Sequence, residues 1–285
     1  MTHPGGLWAV EDFRQQLRFS LRIARTIHSE RSAYQQIDVV ETLLFGRALL
    51  LDGIYMTSEG DEFFYHEMLV HPALVTHPRP RRVLVIGGGD GGTVREVLRH
   101  PEVETVRMVE IDPRVVEVSR EHLPTIGTAW DDPRLELRFE DGVAYVQRAE
   151  DPPWDVVILD GSDPVGPAEG LFSRDFYLGV RRVLAPGGLF ALQSESPVLF
   201  PDVFQAIQGT AAEVFGAAYP CFGHVPIYGA SQWTWTLALT DGTDPREPRH
   251  PERAEALEAN GGTRYYTRAI HAASFVVPPY ARPHG

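Results

Sequence analysis

The chain has 285 residues, 43% of them hydrophobic, and a formal charge of −13 at pH 7. Its size and apolar share suit one large core or two modest ones, and its charge argues against nucleic acid, whose binding depends on neutralising phosphates. All 26 basic residues are arginines, so a lysine Schiff base with pyridoxal phosphate and an ordinary P-loop are excluded, and the single cysteine, Cys221, excludes an internal disulfide and a cysteine-based zinc cluster.

The opening "MTHPGGLWAVEDF" lacks a basic stretch followed by an apolar one, and no apolar run reaches the length of a membrane span. A cytoplasmic protein with no membrane partner is the expectation. Up to residue 76, "QIDVVETLLFGRALLLDGIYMTSEGDEFFYHEMLVHPAL" holds short β-rich runs broken at Phe45-Gly46 and at Asp52-Gly53, a strong hairpin dipeptide. Residues 1–76 are therefore expected as a small antiparallel domain. From residue 77 to 285 strand-like runs at Val83–Ile86, Thr105–Val109, Leu135–Phe139, Val156–Leu159 and Gly188–Gln193 alternate with helix-like segments, which predicts a mostly parallel sheet with helices on both faces. Trp233 and Trp235 alternate in a further strand and read as packing residues. "LTDGTDPREPRHPERAEALEANGG" reads as a surface loop leading into a short helix.

The segment "VLVIGGGDGGTVREVL", Val83 to Leu98, is a buried strand, a glycine turn and a helix, an arrangement that brings a nucleotide-like ligand against backbone N–H groups. Asp90 lies in the middle of that turn. A pyrophosphate there would meet a fixed negative charge, a repulsion of roughly 4 kcal/mol at about 4 Å and an effective dielectric near 20. The carboxylate of ordinary S-adenosylmethionine is disfavoured for the same reason. A sulfonium nucleoside that has lost its carboxylate instead presents an ammonium to Asp90.

Ligands of open α/β sheets lie beyond the carboxyl ends of the strands, and here those ends are acidic. Asp90 follows the first strand, "VRMVEID" delivers Glu110 and Asp112, "LRFEDG" delivers Asp141, and "DVVILDGSDP" delivers Asp160 and Asp163. Each alone is a routine cap or turn residue; together they outline a site. Glu110 has the position from which a carboxylate accepts ribose hydroxyls, and Asp141-Gly142 suits an adenine amine and its ring.

"GGGDGGTVREVLRHPEVETVRMVEIDPRVVEVSREHLP", "DDPRLELRFEDG" and "DVVILDGSDPVGPAEGLFSRDFY", with "RALLLDGIYMTSEGDEFFYHEMLVHPAL" and "RYYTRAIHAASFVVPPY", resemble the polyamine aminopropyltransferase (spermidine synthase) family over nearly the whole chain. The resemblance implies a Rossmann-like α/β fold of the S-adenosylmethionine-methyltransferase type. It also implies decarboxylated S-adenosylmethionine as co-substrate with no further cofactor and no metal, a diamine acceptor, and a homodimer or homotetramer. On the matching positions it makes Asp160 the catalytic acid–base residue. Gln35, Gly87, Gly89, Asp90, Glu110, Asp141, Gly142 and Pro167 become donor contacts, and Tyr65, His66, Asp90, Asp160, Asp163 and Tyr228 amine contacts. Taken alone, His66 reads rather as a satisfied core or interface histidine. Glu195 and the acids of "EGDEF" stand as candidates for the acceptor's far ammonium.

The chain departs from the family pattern at the acceptor. Putrescine-using relatives typically carry glutamine where Met56 stands, arginine where Gly60 stands, and Thr-Tyr-Pro-Ser-Gly where Ile227 to Ser231 stand. Putrescine is still expected first, with use of a longer amine such as cadaverine, agmatine or spermidine. A non-catalytic nucleoside-binding homologue and an ordinary methyltransferase are the alternatives.

Overall fold

A computed structural model describes residues 6–282, apart from 149, 164–165, 230, 248–249 and 260 and the side chains of 166 and 167. The side chain of Pro167, and Ala230 within the Ile227 to Ser231 run, lie outside the described residues.

The first sheet is an antiparallel meander of β1 (Leu7–Phe13), β2 (Leu17–Arg31), β3 (Gln36–Thr42), β4 (Gly46–Leu51) and β5 (Ile54–Ser58) in sequential order. Asp52 and Gly53 close the last hairpin with φ of 48° and 84°, the left-handed pair that a two-residue turn between right-twisted strands requires. Beyond β5 the expected β-rich stretch contains α1 (Glu62–Thr76). Every residue of α1 except Phe64 is buried, so it shows no apolar stripe of helical period, the pattern by which a surface helix is recognised.

The second sheet contains β6 (Arg82–Gly87), β7 (Thr105–Glu110), β8 (Leu135–Phe139), β9 (Trp154–Asp160), β10 (Leu184–Gln193), β11 (Ala217–His224) and β12 (Gln232–Leu239), in the order β11-β12-β10-β9-β6-β7-β8. β6, β7, β8, β9 and β10 run parallel; β12 lies antiparallel to β10, and β11 to β12. The strands expected from the sequence are all present. Trp233 and Trp235 fall in β12, and the proline- and charge-rich segment ends in α7 (Pro251–Ala259).

One face of this sheet packs against α4 (Gly142–Arg148), α5 (Arg174–Val183) and α6 (Pro201–Phe215) through Tyr145, Phe176, Tyr177, Ile207 and Phe215. The other packs against α1, α2 (Gly92–Leu98) and α7, in a core that also takes Leu21, Val40, Leu50 and Tyr55 from the first sheet. α3 (Pro113–His122) presents Val115 and Val118 to Ile37, Val39 and Leu49. The two sheets thus share buried apolar surface, and α1 packs with α2, β9, β10 and β11 of the second. β6 has β7 on one side and β9 on the other, so the chain's crossovers diverge at its carboxyl end and open a crevice there.

Candidate active site

Gly87 ends β6 beside Asp160, which ends β9. Its φ is 82°, and a Cβ there would lie 2.2 Å from the Asp160 carbonyl oxygen. Only glycine allows both the conformation and the approach, and Gly88 N–H then donates to that carbonyl at 2.9 Å. The turn continues to Asp90, whose Oδ1 accepts from Gly92 N at 2.8 Å. Its Oδ2 lies 3.2 Å from His66 Nε2. Burial works against the Asp90 charge, but His66, the Gly92 N–H and Arg95 hold the carboxyl below its usual range.

A cavity with about 940 Å³ of empty space, open mouth included, is lined by Gln35, Gly87, Gly89, Asp90, Glu110, Asp141, Gly142 and Asp160, with Tyr65, His66, Met56 and Tyr228 at one end. The strand ends therefore converge as expected. Gln35 enters from the β2–β3 loop and donates through Nε2 to Asp112 Oδ2 at 3.1 Å, so the first sheet supplies one wall. Glu110 Oε1 accepts from Asp112 N at 2.9 Å; burial outweighs that bond and pushes Glu110 up to about 7. Asp141 is turned by Val143 N, 2.8 Å from its Oδ1, and a Cβ on Gly142 would meet Ile86 Cγ2 at 2.5 Å.

Tyr65 stands at the cavity's inner end and donates its hydroxyl to Asp160 Oδ1 at 2.8 Å. Its ring meets Tyr228 at 5.8 Å and Trp235 at 5.9 Å, centroid to centroid. Burial pushes the Asp160 carboxyl up; Asp90 adds to the shift, while His66 and the Tyr65 hydroxyl oppose it. His66, Asp90 and Asp160 each bring one ligand atom within 4.8 Å of the others, and both His66 nitrogens face carboxylates.

Past Tyr65 lies a smaller cavity, walled by Glu11, Phe13, Ile54, Tyr55, Asp163, Gln193, Phe200 and Trp233. It shares Met56, Tyr65, Gly161, Ser162 and Tyr228 with the first. Asp163 thus sits apart from Asp90. Glu11, which no sequence motif marked, joins Asp163 here: it is 7% exposed, its Oε2 accepts from Tyr55 N at 3.2 Å, and burial pushes it up to about 7, with a further contribution from Asp163. Burial also raises Asp163. Glu195 lies behind it, raised well above the carboxylate range by burial and by Asp163.

The acids of "EGDEF" are otherwise employed. Glu59 accepts from Thr125 Oγ1 at 2.8 Å, Asp61 from Ile227 N at 2.7 Å, and Glu62 lies against His66 and Arg95. Ile227 is buried outside both cavities. A Cβ on Gly60 would come within 2.8 Å of Phe45 Cα, so its difference from an arginine belongs to turn packing. Of the substitutions noted at the acceptor, Met56 is the one among the described residues that lines both cavities, and Trp233, which lines the smaller, packs on Tyr228 at 4.6 Å.

A Rossmann-like sheet with carboxylates at its strand ends, and a second acidic chamber behind a tyrosine, can hold a nucleoside-like ligand against a cationic partner, the arrangement of a group-transfer enzyme. The chain belongs to the spermidine synthase family. Residues 62–246 match the family model for the spermine/spermidine synthase domain, and residues 7–59 match that for the spermidine synthase tetramerisation domain. A polyamine aminopropyltransferase of Moorella thermoacetica is 45% identical over 277 residues, covering 97% of this chain and 95% of the relative; one from Halorhodospira halophila is 47% identical over 272 residues, covering 95% and 96%. The crystal structure of a spermidine synthase in complex with the transition-state analogue AdoDATO superposes with a TM-score of 0.91 at 36% identity, covering 96% of this chain and 93% of that one. The spermidine synthase from Thermotoga maritima superposes at 0.88 with 35% identity, covering 96% and 92%. The protein is therefore an enzyme of polyamine biosynthesis, an aminopropyltransferase. Among the described residues no helix is long and apolar enough to cross a membrane.

Proposed function

We propose that the enzyme transfers the aminopropyl group of decarboxylated S-adenosylmethionine to putrescine, giving spermidine, 5′-methylthioadenosine and a proton. The observation that carries this reading is the meeting of two cavities at Tyr65, whose hydroxyl donates to Asp160 in the larger one, with Asp90 in that cavity and Glu11 and Asp163 in the other. The larger cavity takes the nucleoside, with Glu110 on the ribose, Asp141 and Gly142 at the adenine, Gln35 closing the wall and Asp90 on the donor's ammonium. The smaller takes the acceptor.

An amine of pKa near 10 is neutral about one part in a thousand at pH 7, a cost of roughly 4 kcal/mol. The acceptor nitrogen attacks the carbon beside the sulfonium; the N–C bond forms, the C–S bond breaks, and the nitrogen's proton passes to Asp160. Desolvation makes Asp160 a stronger base than an exposed carboxylate. Tyr65 and Tyr228 orient the nitrogen without adding charge. The acceptor's far ammonium is met by Glu11 and Asp163.

The same reading makes the enzyme a homo-oligomer. The tetramerisation-domain match covers the first sheet, which leaves Leu7, Trp8, Val10 and Leu17 exposed, apolar surface of the kind a subunit interface covers.

The test offers decarboxylated S-adenosylmethionine and S-adenosylmethionine to the same preparation with putrescine, cadaverine, agmatine and spermidine. Methylthioadenosine release with the decarboxylated donor and a diamine is expected. Methylated product at comparable efficiency would favour a methyltransferase, and nucleoside binding without turnover a non-catalytic homologue.

A further inference from the structure

His66 stands between two carboxylates, its Nδ1 2.7 Å from Glu62 Oε2 and its Nε2 3.2 Å from Asp90 Oδ2. Ionised carboxylates only accept hydrogen bonds, so both ring nitrogens carry hydrogen and the resting ring is an imidazolium. Burial opposes that charge, but Asp90 and Glu62 outweigh it and hold the ring well above its ordinary range. The ring is also fixed in place: a Cβ on Gly92 would come within 2.3 Å of His66 Cε1.

Glu62 is itself clamped. Arg95 Nη2 donates to the same Glu62 Oε2 at 2.7 Å, while Arg95 Nε donates to Glu96 Oε1 at 2.7 Å and Nη1 to the Ile126 carbonyl at 2.8 Å. Glu96 is held in turn by Arg99 at 2.9 Å and His71 at 3.1 Å. The charged and titratable groups around the ring are Asp61, Glu62 and Tyr65 at and before α1, Asp90 after β6, Arg95 on α2 behind Glu62, and Asp160 at the end of β9.

The inference rests on the donor proposed above. An ammonium arriving at Asp90 finds Oδ1 taken by Gly92 N and Oδ2 already facing the imidazolium. Two full cations at one buried oxygen repel strongly. We propose that the donor's ammonium displaces the Nε2 proton of His66 to solvent, and that Glu62, clamped by Arg95, is a positioning residue that keeps the remaining proton on Nδ1. The neutral ring then turns an Nε2 lone pair to the pocket. The ammonium donates one hydrogen bond to it and another to Asp90. One proton leaves per donor bound, and no bond within the donor changes. With Glu62 neutral or unclamped, the tautomer protonated on Nε2 competes, and the donor's ammonium loses its acceptor.

The experiment is calorimetric titration of the intact enzyme near pH 8.5 in two buffers of different ionisation heat, with decarboxylated S-adenosylmethionine and with methylthioadenosine, which has no ammonium. Glu110, pushed up to about 7, is then already ionised and adds little to either count. The donor is expected to release about one proton more per site than methylthioadenosine, a difference that His66→Asn abolishes. Glu62→Gln and Arg95→Gln are expected to raise the donor KM about tenfold, with methylthioadenosine affinity held within about twofold. Equal proton counts for the two ligands in the wild type overturn the exchange without any variant, and so does an extra proton that persists in His66→Asn. Equal weakening of both ligands by Glu62→Gln and Arg95→Gln would assign those residues to packing. A wild type that neither turns over the donor nor binds methylthioadenosine strikes the proposed function instead.

Discussion

The two cavities hold their acids in opposite ways. In the larger one Asp90 has a backbone N–H on one oxygen and an imidazolium on the other, and sits below the usual carboxylate range. In the smaller one Glu11 and Asp163 lie in apolar and aromatic surroundings, and both are pushed up, Glu11 to about 7. A buried acid with its own cation is ionised before the ligand arrives. One without waits for the cation that the ligand brings, and until then its charge is a liability.

The largest effect is expected at Asp160, which lines the larger cavity and accepts from Tyr65. Asp160→Asn should lower kcat by about two orders of magnitude or more, the usual scale for a lost general base, with methylthioadenosine binding kept within about twofold. Near wild-type turnover would remove Asp160 from the mechanism. Next comes Asp90→Asn, for which kcat/KM for the donor should fall roughly ten- to a hundredfold, the range of a buried charge-assisted hydrogen bond. Methylthioadenosine affinity should barely move; comparable losses for both would mean that Asp90 only shapes the turn.

The same contrast explains what was legible in the sequence. The larger cavity was readable because each part is local: glycines that allow a close approach, and one acid at the end of each strand. The smaller cavity is assembled from distant segments, and its signals mislead. In β1 the apolar Leu7, Trp8 and Val10 are 60%, 39% and 48% exposed while Glu11 is buried, so the alternation points the wrong way. α1 escaped detection because burial on all sides erased its period. Gly60 and Ile227 looked like changes to the substrate pocket, yet the chain uses one in a tight turn and the other in the core. Only three-dimensional packing separates them from Met56.

Glu11→Gln tests the waiting acid in two directions at once. In the wild type the ionised form attracts the acceptor's far ammonium, so its contribution to acceptor kcat/KM grows as pH rises through 7. The variant should lose about tenfold at pH 8 and converge on the wild type below about pH 6. Stability has the opposite sign. The folded-state pKa of Glu11 is raised, so the stability it contributes is fully present below its unfolded value of about 4.5 and is lost as pH rises through 7. The variant keeps an oxygen for Tyr55 N and carries no charge, so its melting temperature should exceed the wild type's above pH 7, with the gap closing toward pH 4.5. A variant less stable than the wild type at pH 8.5 would show that Glu11 is already compensated and is not waiting for a ligand.

The smallest effect is expected at Met56, whose carbonyl accepts from the Tyr228 hydroxyl at 2.7 Å while its side chain lines both cavities. The backbone contact survives substitution, so Met56→Gln changes the wall of the junction and leaves Tyr228 in place. A thioether is flexible and asks for no hydrogen bond, which lets the junction adapt to amines of different length. A glutamine amide must be satisfied, and the polar atoms near it are those a short diamine would use. The wild type should therefore show measurable kcat/KM with at least one of cadaverine, agmatine and spermidine. Met56→Gln should shift the ratio toward putrescine by about fivefold, near 1 kcal/mol of transition-state discrimination. A wild-type preference for putrescine beyond about a thousandfold, some 4 kcal/mol, would sink the adaptable junction outright. Ratios unchanged by the substitution would place acceptor choice in the aromatic walls at Phe13, Phe200 and Trp233, which line the smaller cavity.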